Sequence, residues 1–226
     1  TMIRTAYLAA LGVDGGEQVR YLESTRETNF ARREFIEKDN YFVNDEGWAL
    51  GPDGRVYAAP IRDRYLIEVY AADGTLERII EREFESYRRT QQEKDDVAAG
   101  VVAVVNGQRV QLETQIEDTA PDIASLRVDA AGNLRVRHSH SGRDQPDGVM
   151  MTYDVFDPQG QLSRQVAFRC EGDAREDKLF FPATDRVLLV KGFRQARRAK
   201  FGGRGEDTAD DEPAADLEII CYRIAD

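Results

Sequence analysis

A motif that occurs twice, 86 residues apart, constrains the fold of this chain more than any other feature. Residues 68–78 (EVYAADGTLER) align with residues 154–164 (DVFDPQGQLSR). Each copy is a segment of alternating apolar and polar residues, then a glycine-containing turn, then a second alternating segment. Such alternation is typical of strands with one buried face, so each copy predicts a β-hairpin.

Each hairpin is preceded by another predicted strand pair with a glycine turn, in residues 48–60 and 126–138. Four strands therefore recur as a unit, at residues 47–51, 55–59, 65–71 and 76–82, and again within residues 123–169. Four antiparallel strands repeating with a long period are typical of β-propeller blades, because one blade cannot bury its own faces and must stack on neighbours. The sequence predicts an all-β fold, with residues 1–226 forming a single β-propeller domain.

The predicted strands do not add up to a closed ring. Only two precede the first complete blade, at residues 6–13 and 17–24, and the last blade has three, at residues 178–182, 186–191 and 217–224. A ring needs four or more blades, and unpaired strand edges favour aggregation. Two explanations stay open. Either the chain lacks the N-terminal blades of a longer propeller, carried upstream or on another polypeptide, or an oligomer completes the sheets.

Two segments interrupt the strand pattern. Residues 84–121 predict an inserted arm, with a short helix in residues 85–98 and a hairpin formed by residues 101–105 and 108–113. Asn106-Gly107 suits the type I′ turn of that hairpin, and β-branched valines favour it over a helix ending at Gly107. Residues 194–216 predict a flexible charged loop, in which basic residues (Arg194, Arg197, Arg198, Lys200 and Arg204) stand beside an acidic run.

The overall charge bears on the class of partner. The net charge is −11 and the isoelectric point is near 4.8, which argues against nucleic-acid binding because phosphate recognition needs a basic face. No run of 18 apolar residues occurs, so no membrane span is predicted. The first residues lack the charged-then-apolar pattern of a signal peptide. A protein partner or self-association is the remaining expectation.

The two cysteines, Cys170 and Cys221, have a spacing that fits no zinc motif. Cys170 ends one predicted strand and Cys221 lies inside another. Two buried free cysteines that pack as small apolar residues are the favoured interpretation. The alternative is a disulfide between Cys170 and Cys221, which would imply an oxidising compartment.

The only two histidines, His138 and His140, form the one candidate metal site. Residues i and i+2 of a strand share a face, so both imidazoles could bind one divalent metal, with Asp144 or Asp147 from the following loop as a further ligand. Asp122 and Asp129 lie near the ends of a predicted inner strand, but a turn-capping role is favoured for Asp129. No set of nucleophile, base and stabilising group can be assembled, so no catalytic residue is assigned and the ligand-binding residues are unknown.

Several of these segments resemble a known family. They are residues 53–59 (DGRVYAA), 65–74, 128–136 (VDAAGNLRV) and 153–157 (YDVFD), with RDQPDG at 143–148 and VKGF at 190–193. They are similar to bacterial six-bladed β-propeller proteins of the NHL/TolB-like kind, and in particular to an uncharacterised, usually exported subgroup. The resemblance covers residues 48–222. It implies a six-bladed ring and a periplasmic or extracellular location, and it carries no activity.

Two functions follow from these observations. The leading hypothesis is a non-catalytic binding or scaffold module that recognises a protein or ligand through its loops, with no cofactor. The alternative is a metal-dependent hydrolase or lyase of the lactonase kind, acting at the mouth of the propeller channel. Bound metal that depends on His138 and His140 would distinguish the two.

Overall fold

The computed structural model describes residues 2–28, 33–43, 46–101, 103–105, 108–183, 185–201 and 217–224. Strands hold 49% of the described residues and helices 9%, which confirms the all-β prediction. The chain divides into two compact units, residues 1–140 with 153–166, and residues 141–152 with 167–226. None of the helices in the described ranges is long and apolar enough to cross a membrane.

Both predicted four-stranded units are present as antiparallel sheets. The first has the order β4 (Trp48–Leu50), β5 (Val56–Ala58), β6 (Leu66–Tyr70) and β7 (Leu76–Glu81). The second has the order β11 (Ile123–Val128), β12 (Leu134–His138), β13 (Val149–Phe156) and β14 (Leu162–Arg169). A third sheet, in the second unit, has three strands: β15 (Lys178–Ala183), β16 (Arg186–Lys191) and β17 (Glu218–Arg223). Over the described residues this third sheet has three strands and no fourth, as the sequence predicts.

Five hairpin turns share one design, which explains the sequence repeat. In each five-residue turn the first N–H donates to the fifth carbonyl, and the fourth N–H donates to the first carbonyl. The fourth residue is always glycine, with φ between 80° and 89°, a conformation that disfavours any residue with a Cβ atom. This pattern is the three-residue hairpin loop with a glycine bulge. The turns are residues 12–16, 51–55, 71–75, 129–133 and 157–161.

The N-terminal hairpin is a long two-stranded ribbon, β1 (Met2–Leu11) and β2 (Glu17–Thr28). Tyr21 on β2 anchors it to the first sheet, because its hydroxyl donates to the Ala72 carbonyl at 3.2 Å and its ring packs edge-on against Tyr70. Two apolar residues near the ends of β1, Ile3 and Leu11, are exposed.

Residues of the predicted arm form a helix and a hairpin. Helix α1 spans Gln91–Ala99 and begins later than predicted, because Thr90 and Glu93 form a capping box there. β8 (Ala103–Val105) and β9 (Gln108–Val110) pair as the predicted hairpin, while its Asn106-Gly107 turn lies outside the described residues. The sequence did not predict β10 (Glu113–Gln115), which pairs in parallel with β3 (Glu34–Ile36). A short 3-10 helix, Lys38–Asn40, follows β3.

Helix α2, Phe193–Phe201, occupies the beginning of the segment predicted as a charged loop. Arg, Gln, Ala and Lys are good helix formers, and they make up most of this stretch. The rest of that segment, residues 202–216, lies outside the described residues.

The core of the first unit forms where the two four-stranded sheets pack against each other. Strand register places Leu134, Val136 and Phe156 on one face of the second sheet. They pack against a face of the first sheet that includes Tyr65 and Ile67. Each such side chain contributes about 1.5–3 kcal/mol when fully buried, so this contact is the main apolar contribution to the stability of the unit.

We expect Ile67→Ala to lower the free energy of unfolding by about 2–5 kcal/mol, because Ile67 has no exposed surface and truncation leaves a cavity. The matched control is Ile79→Ala on β7, whose side chain is 51% exposed and which should change stability by less than about 1 kcal/mol. Urea unfolding followed by circular dichroism measures both. Equal losses in the two variants would contradict the described packing.

Candidate functional site

The two histidines predicted as metal ligands lie at the end of β12, packed among aromatic rings. His138 is buried, and the centroids of the His138 and His140 rings are 6.3 Å apart. Phe84 packs edge-on against both imidazoles, and Tyr87 packs against His140. The Nε2 atom of His140 lies 2.9 Å from the Glu85 carbonyl oxygen. Both rings are therefore engaged with the segment that follows β7.

The third predicted ligand, Asp144, is an exposed residue with a φ of 52° in the loop after β12. It belongs to the second compact unit, whereas His138 and His140 belong to the first. In the described ranges no three or more His, Cys, Asp and Glu side chains are grouped so that they could hold a metal ion. Metal binding by His138, His140 and Asp144 stays a prediction from sequence.

A buried carboxylate, Asp154 on β13, is the centre of the polar cluster beside His138. Asp154 is 1% exposed and pairs with Val136, so it projects from the same face as the core residues Val136 and Phe156. The Tyr65 hydroxyl and the Arg82 guanidinium each donate to Oδ2 at 2.8 Å, and the Gln165 side chain donates to Oδ1 at 3.1 Å. Three donors thus compensate a charge that would be costly to bury alone.

The cluster joins the two four-stranded sheets of the first unit. Tyr65 and Arg82 flank strands of the first sheet, immediately before β6 and after β7, whereas Asp154 and Gln165 lie on the second. Arg82 also stacks over the rings of Tyr65 and Phe84, with its guanidinium carbon 5.0 and 5.7 Å from their centroids. A hydrogen bond to a charged group is stronger than one between neutral groups, so these contacts fix how the sheets meet.

Burial sets the electrostatics of the cluster. Burial, with the adjacent Asp154 charge, raises the pKa of Tyr65 far above its usual range, so the phenol stays protonated and donates. Burial lowers the pKa of His138, an effect that the Asp154 charge partly opposes. The backbone N–H of His140 donates to Nδ1 of His138 at 3.3 Å, which assigns to His138 the neutral tautomer with its proton on Nε2. The Nε2 atom of His138 lies 3.9 Å from Asp154 Oδ2.

His138, Asp154 and Tyr65 are residue types used in acid–base catalysis, but their surroundings do not suit it. A general base must reach a substrate atom, and here the Asp154 side chain is 2% exposed and the His138 side chain 7%. The apolar neighbours Phe84 and Phe156 complete their enclosure. The arrangement holds two sheets together, and no catalytic role follows from it.

A second carboxylate, Glu37, attaches the arm through hydrogen bonds from charged donors. Glu37 accepts hydrogen bonds from both terminal nitrogens of Arg89, at 2.7 and 2.9 Å, and from one terminal nitrogen of the buried Arg62 at 3.1 Å. It also accepts the Glu117 N–H at 2.9 Å. Burial alone would raise the pKa of Glu37, but these donors lower it overall. The arm is therefore attached through a charged contact as well as through the β3–β10 pair.

The structure describes Cys170 and Cys221 as free cysteines. Cys170 directly follows β14 and is half-buried, with its Sγ 3.5 Å from the Met150 Sδ. Cys221 lies on the edge strand β17 and is exposed, which corrects the expectation that both are buried. The disulfide between them is not part of this structure and stays a hypothesis from sequence.

The most open surface of the second unit is the free edge of β17. In the described sheet β17 pairs only with β16, in regular register over six residues. Ile219 is 64% exposed and Leu217 is 50% exposed. Ile224 donates to the Asp185 carbonyl at 2.9 Å, so even-numbered residues pair with β16 and the backbone groups of Ile219 and Cys221 point away from it.

Sequence reasoning missed Asp154, Tyr65 and Arg82. One signal was present, because Asp154 interrupts an otherwise apolar strand whose eight residues are all buried. An acidic residue inside such a strand indicates a buried partner. The partners themselves could not be read from the sequence, since Tyr65 is 89 residues away and Arg82 is 72.

Comparison of the sequence with known protein families and with curated proteins finds no match.

We expect Asp154→Ala to lower the free energy of unfolding by about 3–5 kcal/mol, because it leaves the buried Tyr65 hydroxyl without its acceptor. Tyr65→Phe should lower it by about 1.5–3 kcal/mol. In the double variant the losses should be smaller than their sum by about 1–2 kcal/mol, measured by urea unfolding. Asp147→Ala, at an exposed loop position, is the control and should be nearly neutral. Additive losses would show that the two groups do not interact.

Stability should also fall in mildly acidic solution because of His138. Its pKa is lowered in the folded protein, so the unfolded chain binds the proton more tightly. The neutral His138 ring contributes fully to the free energy of unfolding above the unfolded pKa of about 6.5, and this contribution is lost as the pH falls below that value. The free energy of unfolding then falls by at most about 1.4 kcal/mol per pH unit. His138→Gln should flatten this slope and His140→Gln should retain it, in urea titrations between pH 7.5 and 5. The same slope in both variants would contradict this assignment.

Proposed function

We propose that this chain is a non-catalytic binding or scaffold module of the β-propeller type. Two four-stranded antiparallel sheets packed through their faces, with a third sheet of the same strand order, support this proposal. In the proposed assembly the sheets are blades of a six-bladed ring completed by further blades or further chains. Export to the periplasm or the cell exterior, implied by the family resemblance, is part of the same proposal.

The open edge of β17 is the proposed binding surface. Proteins normally protect such edges with proline, irregular register, short length or charges. The opposite edge of the same sheet, β15, has Pro182 and a register shift, and β4 of the first sheet is only three residues long. β7 carries Glu77, Arg78 and Glu81, and β14 carries Arg164 inside the strand. β17 has charges only at its two ends, Glu218 and Arg223, around the apolar residues Ile219 and Ile220.

A strand from a protein partner, or from a second copy of the chain, can extend the sheet at this edge. The outward backbone groups of Ile219 and Cys221 would supply the hydrogen bonds, and exposed Ile219 would supply apolar contact. Addition of a strand to an open edge is a common mode of peptide recognition. The interaction needs no cofactor, and the net charge of −11 argues against nucleic acid as the partner.

No observation in the described residues favours the alternative of a metal-dependent hydrolase or lyase of the lactonase kind. The two histidines predicted as its ligands both pack against Phe84.

Native mass spectrometry and light scattering over a concentration series test the proposal. We expect the wild-type protein to self-associate or to retain a co-purified polypeptide, and Ile219→Lys to weaken that association at least about tenfold, because lysine blocks edge pairing. Ile79→Lys is the matched control, since Ile79 is also an exposed isoleucine on an edge strand, β7 (51% exposed against 64% for Ile219). Wild type and Ile219→Lys that are both monomeric and free of partners would contradict the proposal.

A further inference from the structure

The second unit brings the chain's half-buried thiol against a thioether at a surface cavity. Cys170 and Met150 lie with their sulfur atoms 3.5 Å apart. Both line a cavity of about 310 Å³ whose other walls are Gly148, Val149, Glu171 and Gly172. Met150 is 4% exposed, so the strand that carries it holds its side chain in place at the base of this cavity.

We propose that Cys170 and Met150 form a binding site for a soft monovalent metal ion, Cu(I) in the first place. Thiolate and thioether are the two protein ligands that select Cu(I), whereas hard cations prefer oxygen and Zn²⁺ prefers thiolate, imidazole and carboxylate. The pairing with Met150 distinguishes Cys170 from an isolated thiol and points to the class of metal.

The distance between the two sulfur atoms fits one shared ion. Metal–sulfur bonds in proteins are about 2.3 Å long, so two sulfurs on one ion can be up to about 4.6 Å apart. The observed 3.5 Å is within that limit and corresponds to a bent arrangement. A bent pair leaves the cavity side of the ion open to a third ligand from solution.

Gly172 lets the backbone lie close to the Met150 thioether. A Cβ atom at this position would lie 2.8 Å from the Met150 Sδ, a separation that side chains essentially never show, and 3.1 Å from the Leu189 Cδ1. The exposed Glu171 adds a negative charge at the rim, which favours a cation. The nearby Asp177 is already engaged, since its carboxylate accepts the N–H groups of Asp173 and Gly192, both at 2.8 Å.

Binding replaces the thiol proton and changes no oxidation state. The Cys170 S–H bond breaks, the sulfur–metal bond forms, the proton passes to solvent, and the Met150 thioether donates a lone pair. Burial, with a smaller effect of the Asp177 charge, raises the pKa of the Cys170 thiol, so the free site is protonated at neutral pH. Metal uptake should therefore release one proton per ion.

The reduced full chain is titrated with Cu(I) under anaerobic conditions against a chromophoric Cu(I) chelator, and with Ag(I) as an analogue that does not change oxidation state. We expect one tightly bound ion per chain. Cys170→Ser should weaken binding at least about a hundredfold and Met150→Leu about tenfold, because each removes one soft ligand. Met150→Leu conserves volume, so the core should persist.

Cys221→Ser is the matched control, since Cys221 is the exposed cysteine on β17 and has no role in the site. It should bind as the wild type does. Retention of wild-type affinity by Met150→Leu would overturn the proposal, because it would place the ion on an isolated thiol. Equal weakening by Cys221→Ser and Cys170→Ser would overturn it as well.

A measurement on the wild-type protein keeps the test independent of how well the variants fold. One equivalent of Ag(I) should slow alkylation of Cys170 by iodoacetamide at least about tenfold and leave Cys221 reactive, as read from peptide masses. Protection of neither cysteine, or of Cys221 alone, would overturn the assignment.

Discussion

The structure of the first unit depends on one buried negative charge. Asp154 lies on the face through which two sheets pack, a place where apolar side chains would give the simplest core. Its charge is tolerated only because Tyr65, Arg82 and Gln165 all donate to it. Such contacts favour one relative position of the two sheets, since sliding one of them would leave a buried carboxylate without partners.

The same principle recurs at the arm. Glu37 brings Arg62, Arg89 and the Glu117 N–H together, so charged contacts join the segment after β7 to Arg62, between β5 and β6. The short parallel pair of β10 with β3 attaches the same segment to the chain that precedes the first sheet. Both carboxylates are fully satisfied, which is what makes buried charge compatible with stability. Neither is exposed enough to act on a substrate, and the surfaces open to a partner lie elsewhere, at β17 and at the β1–β2 ribbon.

Local features of the fold could be predicted from the sequence, because the alternation of apolar and polar residues and the glycine turns each depend only on neighbouring residues. The strands of both four-stranded sheets, the β8–β9 hairpin and the three-stranded last sheet were predicted on that basis. The β3–β10 pair and the partners of Asp154 could not be, because they join residues 72 to 89 positions apart. The helix in residues 193–201 was missed because its charge pattern resembles a solvated loop.

The five glycine turns have a consequence for how this chain can change over time. Each turn closes through backbone hydrogen bonds between its own first, fourth and fifth residues, with a positive φ at the fourth. In each turn an aspartate at the first or third position also accepts the N–H of the fifth residue. The remaining loop positions are under less constraint, as Pro52, Ala130-Ala131 and Pro158-Gln159 illustrate. A four-stranded sheet can thus differ in most of its residues from another while keeping the same hairpins. The repeat in such a chain is recognised from the spacing of its glycines and aspartates more than from the residues between them.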